Sequence, residues 1–419
     1  RVVGIYEKEL AVRMQLVANN SALVYTNPGT DPYTNANGSA LLGENQANID
    51  AIIRPANYDI GHVFGTEAAG LAGLGVVCVN NNKARAQTGT GSPVGDAFDV
   101  DYVAHEIGHQ FGGNHSFNSV VGGCTGNRSN SKAYEPGSGS TIMSYAGLCG
   151  ADNLQNNADA YFHTANFEEM ASFIASTACG TSTATGNSAP VVTVPPVRTL
   201  PIGTPFSLTA SATDANGDAL TYSWEEMDLG SAGSLADPQV ANDNEPLFRS
   251  FPATTSPTRT FPRLSSIISN SLPANERLPT VTRTLTFRCT ARDQHNGAAG
   301  IVGGVNYSAN LALPVTSAAG PFLVTAPNTA VSWFSGSTQT VTWNVAGTSS
   351  NGVNCATVNI LLSTDGGLTY PTTLVSGVAN DGSQTITVPN TPTTTARIMV
   401  AAADNYFFDI SNTNFSTYR

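Results

Sequence analysis

The stretch HEIGHQFGGNH at residues 105–115 constrains this chain more than any other. The chain holds six histidines, and three of them, His105, His109 and His115, fall inside it. On a helix, His105 and His109 lie one turn apart on the same face. Val100, Val103, Ile107 and Phe111 gather on nearly the opposite side, so one stripe anchors the helix while the other presents two imidazoles to a cleft. Glu106 sits beside the histidine face, where it can reach a water without ligating a metal. His115 would point away if the helix continued. Gly112 resolves this, because glycine takes the left-handed conformation that turns the chain and swings His115 back toward the pair. Three neutral imidazoles with a fourth position left to water make a catalytic rather than a structural zinc site. Zinc held this way lowers the pKa of water from near 15.7 to about 7.

A lone His-x-x-x-His pair is usually surface or satisfied core. The longer H-E-x-x-H-x-x-G-x-x-H pattern fixes five residues, three of them histidine, of which the chain has only six, and the metal reading prevails.

Around this stretch the first 180 residues alternate helical and strand patterns. RVVGIYEKEL, ENQANIDAIIRP and TANFEEMASFIAS have helical spacing, and residues 99–111 form the clearest helix, with Asp99 or Asp101 as its cap. AVRMQLVA, YDIGHVFG and GLGVVCVN read as strands. GTSTATGNSAPVV is a small-residue linker. Beyond it, short alternating Thr/Val/Ser-rich runs separated by DANGD and DQHNG turns give a β-sandwich signature, with a second restart near TSAAGPFLVTAPN. The expected architecture is multidomain: an α/β domain at 1–185, then two all-β, Ig-like or cadherin-like sandwiches at 188–317 and 318–419. The third module is Ig- or fibronectin-like in style.

A net charge of -12, with only 11% charged residues, excludes nucleic acid as a partner, because no basic stripe exists to meet phosphates. No run reaches the eighteen or so apolar residues of a membrane span. No signal peptide opens the chain, so export implies a processed product. The Thr/Ser/Asn-rich, lysine-poor composition suits a secreted bacterial protein, extracellular or at the cell surface. None of the six cysteines forms a CxxC pair, which disfavours a zinc ribbon or redox site. The first four could form two bridges in an oxidising compartment, in any of three connectivities.

The eleven residues resemble the metzincin zinc peptidases, and TIMSYAG at 141–147 looks like their Met-turn, with Met143 as the methionine beneath the metal. GLAGLGVVC, the GGC and GLC pair and ASTACG are most similar to the reprolysin (adamalysin) branch of bacterial secreted type, over about residues 1–180. The resemblance implies an α/β catalytic domain, Zn2+ as cofactor on His105, His109 and His115, and Glu106 as general base for a zinc-activated water that attacks a peptide carbonyl. It implies protein or peptide substrates, paired to an edge strand at Gly73, Leu74, Gly75 and Val76. It also implies Cys78 bridged to Cys179 and Cys124 to Cys149. Two residues depart from the branch. Ser116 follows the third histidine as in matrixins, and Tyr145 has the spacing of astacins and serralysins, where a tyrosine stabilises the oxyanion. A pappalysin-like enzyme is the nearest rival, and the family's first strand is missing.

Outside that domain, Asp214, Asp218 and Asp293 form a candidate Ca2+ set, although turn-forming Asp gives the same letters. His62 and His163 read as structural. Cys289 and Cys355 read as buried thiols, and Trp224, Trp333 and Trp343 as core. The rival class of function is a surface adhesin, in which the β-modules bind a surface or polymer.

Overall fold

The computed structural model describes residues 1–66, 70–297 and 300–419. The N-terminal region opens with helix α1, Val2–Leu10, followed by α2, Gly38–Ile52, which begins well before its apolar repeat because the Asn37 side chain accepts from Ala40 N–H. A three-stranded sheet has the order β1 (Val63–Gly65), β3 (Ala86–Gly89), β2 (Leu71–Ala72), with β1 parallel and β2 antiparallel to β3. AVRMQLVA forms no strand; its alternation is spent on the wall of a 710 Å³ cavity beside the open edge of β1, lined by Met14, Leu16, Val17 and Val63 among others.

The histidine helix runs continuously through Asp96–Phe98, a wider π-helical stretch Asp99–Ala104 and His105–Gln110. It therefore starts earlier than its apolar periodicity indicated, after Gly95, and neither Asp99 nor Asp101 caps it. Asp101 instead accepts from Ala158 N–H and Asn157 Nδ2. The predicted apolar stripe is real: Val100, Val103, Ile107 and Phe111 are buried with Tyr6, Ile142, Met143, Phe162 and Met170 in one cluster. Burying each such side chain contributes roughly 1.5–3 kcal/mol against leaving it exposed. Helix Thr164–Ser176 closes the region, and His163 caps it by accepting from Ala165 N–H.

Beyond residue 190 the chain is almost entirely β. One ten-residue strand, Arg283–Arg292, buries Leu285, Phe287, Cys289 and Ala291 on one face and pairs antiparallel with Thr221–Glu226, Val305–Tyr307 and Leu311–Thr316. Opposite it, Phe206–Thr209 pairs with Thr258–Phe261. The C-terminal module repeats the design, with Thr357–Ser363 between Thr372–Ala379 and Thr393–Ala402 facing the Leu323–Ala326, Thr338–Asn344 and Ser383–Thr387 sheet. Trp224, Trp333 and Trp343 are core residues, and two find indole acceptors at Pro257 O and Asn380 Oδ1. Cys289 and Cys355 are buried free thiols. Among the described residues no helix is long and apolar enough to cross a membrane.

Candidate metal centre

Three imidazoles converge. The Nε2 atoms of His105, His109 and His115 lie 3.1–3.2 Å from one another. Each ring is turned by a backbone carbonyl that its Nδ1 reaches: Ile142 O at 2.7 Å for His105, Gly113 O at 2.7 Å for His109, Asn127 O at 2.6 Å for His115. A carbonyl only accepts, so each Nδ1 carries the proton and each Nε2 presents a lone pair. The three short Nε2 separations are therefore not hydrogen bonds. They are three acceptors facing one point, an arrangement that a cation resolves. Burial, reinforced by the neighbouring rings, holds His105 well below the usual imidazole range and pushes His109 down to about 3; burial also lowers His115. All three rings are neutral at pH 7, as metal ligation requires. Imidazole donors each braced at Nδ1 by a backbone carbonyl fit zinc.

Glycines make the geometry accessible. Gly112 has φ +90°, which bends the chain after Phe111. Gly108 stands where any Cβ would strike the Sδ of Met143, so the methionine lies directly against the histidine helix. Met143 is fully buried and its carbonyl accepts from Ser116 N–H at 3.1 Å, joining the turn to the chain after the third histidine. A glycine inside a helix costs about 1 kcal/mol against alanine, which is the sequence signal that could have flagged Gly108.

Glu106 is buried, and among the described residues its Oε2 has no hydrogen-bond partner. Burial lifts its carboxyl to about 8, and a cation at the triad would act in the opposite direction. A side chain at Gly70 would occupy the place of the Glu106 carboxyl, so this glycine leaves room for it; sequence reasoning missed it because the contact is not local. Tyr145 closes the other side. Its ring lies 4.6 Å from that of His115 and 5.6 Å from that of His105, and it stacks on Phe117 at 4.7 Å. Burial, then the charge of Glu106, raises its phenol to about 12, so it stays protonated and able to donate.

The edge strand needs correction. Gly73, Gly75 and Val76 spend their N–H groups inward, on Arg85 O, His109 O and Gln110 O, and residues 73–76, Leu74 included, are not strand. Among the described residues, the segment near the histidine helix with an unpaired edge is Leu71–Ala72, whose other edge is held by β3.

Cys78 and Cys179 are bridged, as are Cys124 and Cys149, with Cα separations of 5.6 and 5.1 Å. Asp214, Asp218 and Asp293 bring oxygens within 4.8 Å of one another. Local donors engage most of those oxygens: Asn216 and Asp218 N–H on Asp214, His295 on Asp218, and Asn187, His295 and Gly304 on Asp293. Turn bonds serve Asp214, but Asn187 and the His295 ring reach in from distant segments, and Asp214 Oδ2 is buried with no partner among the described residues. His62 is held between Gln110 and Thr88.

Residues 1–173 match the model of the metallo-peptidase family M12B, reprolysin-like. No curated protein matches the chain in sequence. Among solved structures, the Clostridium thermocellum CbhA fibronectin(III)-like modules share 12% identity, with 54% of this chain and 93% of theirs covered and a TM-score of 0.18. The chicken CNTN1 FN1-FN3 domains share 13% identity, with 54% and 68% covered and a TM-score of 0.21.

Proposed function

We propose, for a chain whose residues 1–173 form a metzincin, reprolysin-like metallopeptidase domain, that it is a secreted zinc endopeptidase acting on proteins or peptides. The observation that carries the reading is the meeting of three unprotonated Nε2 atoms beside a buried carboxyl oxygen that has no partner among the described residues. His105, His109 and His115 would hold the zinc, which supplies Lewis acidity to water and to the substrate carbonyl. Glu106 takes a proton from the attacking water and passes it to the leaving amine. Tyr145 donates to the oxyanion as charge develops there. An extended substrate pairs with the outer edge of Leu71–Ala72, which positions its peptide bond over Glu106.

Glu106→Ala should lower casein or peptide hydrolysis on the order of 10²–10⁴-fold while zinc content stays at one per chain. Unchanged turnover would remove Glu106 from the mechanism. The adhesin reading draws support only from the presence of two β-modules, and zinc-containing protein that cleaves no unstructured substrate would favour it. The two disulfides favour an oxidising, extracellular setting. Calcium at Asp214, Asp218 and Asp293 is not needed by this account.

A further inference from the structure

The first two histidines ride on one helix, but the third comes from a loop, and its ring is turned by Asn127 O. What fixes that loop lies in another module. The next residue, Arg128, sends Nη2 to Gly230 O of the first sandwich at 2.9 Å and Nε to Asn118 Oδ1 at 3.0 Å. Asn118 in turn donates to Ser231 O at 3.2 Å. Arg128, Asn118 and the 230–231 backbone thus form a closed triangle directly behind the carbonyl that aims His115.

The far corner of this triangle belongs to a built arm, residues 228–246, a long stretch without helix or strand of its own. Such stretches in folded domains are usually functional. Arg283 closes its base, donating to Asp228 Oδ2 at 3.2 Å and to Glu245 O at 2.6 Å from one buried guanidinium. Asp243 Oδ1 accepts from Ser231 N–H at 2.9 Å, and Gly230 has no room for a Cβ between Glu245 N and Asp243. Farther along, Ser234 Oγ and Leu235 N–H both donate to Asp152 Oδ1, whose other oxygen holds Ser119 Oγ at 2.6 Å. The arm therefore grips the N-terminal region at Asn118, Arg128 and Asp152, all beyond the third histidine in the chain.

We propose that this arm is a working part of the metal centre: Arg128 and Asn118 are positioning residues that transmit its placement to His115. The inference rests on the triad binding zinc. Hydrogen-bonding partners behind a ligand typically change metal affinity by about 10–100-fold when removed.

The test measures zinc dissociation constants of the full chain by competition with a chromophoric chelator, alongside circular dichroism and thermal unfolding. Arg128→Ala should weaken zinc by about 10-fold or more with the fold retained, and Arg128→Lys, which lacks the planar fork, should fall between it and the native protein. Asp243→Ala removes the bond that folds the arm back on itself at Ser231 and the charge that faces Arg128, leaving Arg128 and Asn118 themselves in place, and should weaken zinc in the same direction. The double variant should be no weaker than Arg128→Ala alone, because both act through one linkage. Native zinc affinity in folded Asp243→Ala and Arg128→Lys overturns the proposal, even if Arg128→Ala does not fold. Native protein that holds no zinc at all defeats the metal reading instead, and the proposal with it.

Discussion

The two seams of this molecule are made of opposite materials. Between the N-terminal region and the first sandwich polar and charged contacts dominate, with one ring pair, Phe167 and Tyr307, beside them. Arg292 places its guanidinium on Glu9 at 2.9–3.1 Å, with Ser223 and Phe162 O completing its shell, and both charged groups are buried. Arg288 meets Glu168 at 2.7 Å, and Glu225 accepts from Thr164 N–H. Between the two sandwiches, by contrast, one apolar cluster runs without a break, with Phe206, Phe322 and Phe407 at the join. The N-terminal core is a separate cluster. Apolar burial is non-directional and stabilises, whereas a buried ion pair costs desolvation and is satisfied in only one geometry. The apolar seam makes two modules fold as one body; the polar seam fixes how that body meets the peptidase region.

The largest expected effect follows from breaking the polar seam on one side. Arg292→Ala leaves Glu9 charged and buried, and should cost about 3–5 kcal/mol by denaturant unfolding. Replacing both, with Glu9→Leu and Arg292→Met, should restore most of that loss, and failure to do so would contradict the orientational role given to the pair. A smaller effect belongs to Asp409, a buried carboxylate in the C-terminal module that accepts from Val324 N–H at 2.7 Å. Burial raises its pKa to about 7, against a usual value near 4. The folded state thus binds the proton more tightly than the unfolded one. Its contribution is favourable below pH 4 and is lost as pH rises through 7. Asp409→Asn should therefore stabilise the β-modules by about 1–3 kcal/mol at pH 8 and leave them unchanged near pH 4, as thermal unfolding across pH would show. The smallest effect tests the apolar seam itself. Phe407→Leu should cost about 1 kcal/mol, and one shared calorimetric transition for the two sandwiches should persist.

The same contrast explains what could be read from the amino-acid sequence. The triad was legible because its geometry is local: an i, i+4 pair and a glycine whose only plausible use was a reversal. Alternation in Arg283–Arg292 was legible because its inward face is a simple apolar row. Glu9 and Arg292 were not, since each alone resembles a solvated charge and the partner lies across the chain. The strand pattern in residues 11–18 misled because alternation reports one covered face, not a ladder partner. Gly73–Val76 misled in another way: an expected edge strand has no free edge there, because its N–H groups are consumed by the carbonyls of Arg85, His109 and Gln110.

The central claim is that three neutral imidazoles hold one zinc ion. Anomalous diffraction at the zinc edge, from crystals of zinc-loaded protein, tests it most directly. The account predicts a single strong peak about 2.0–2.1 Å from each Nε2 of His105, His109 and His115. No peak there, or a peak shared by only two of the three rings, would contradict it.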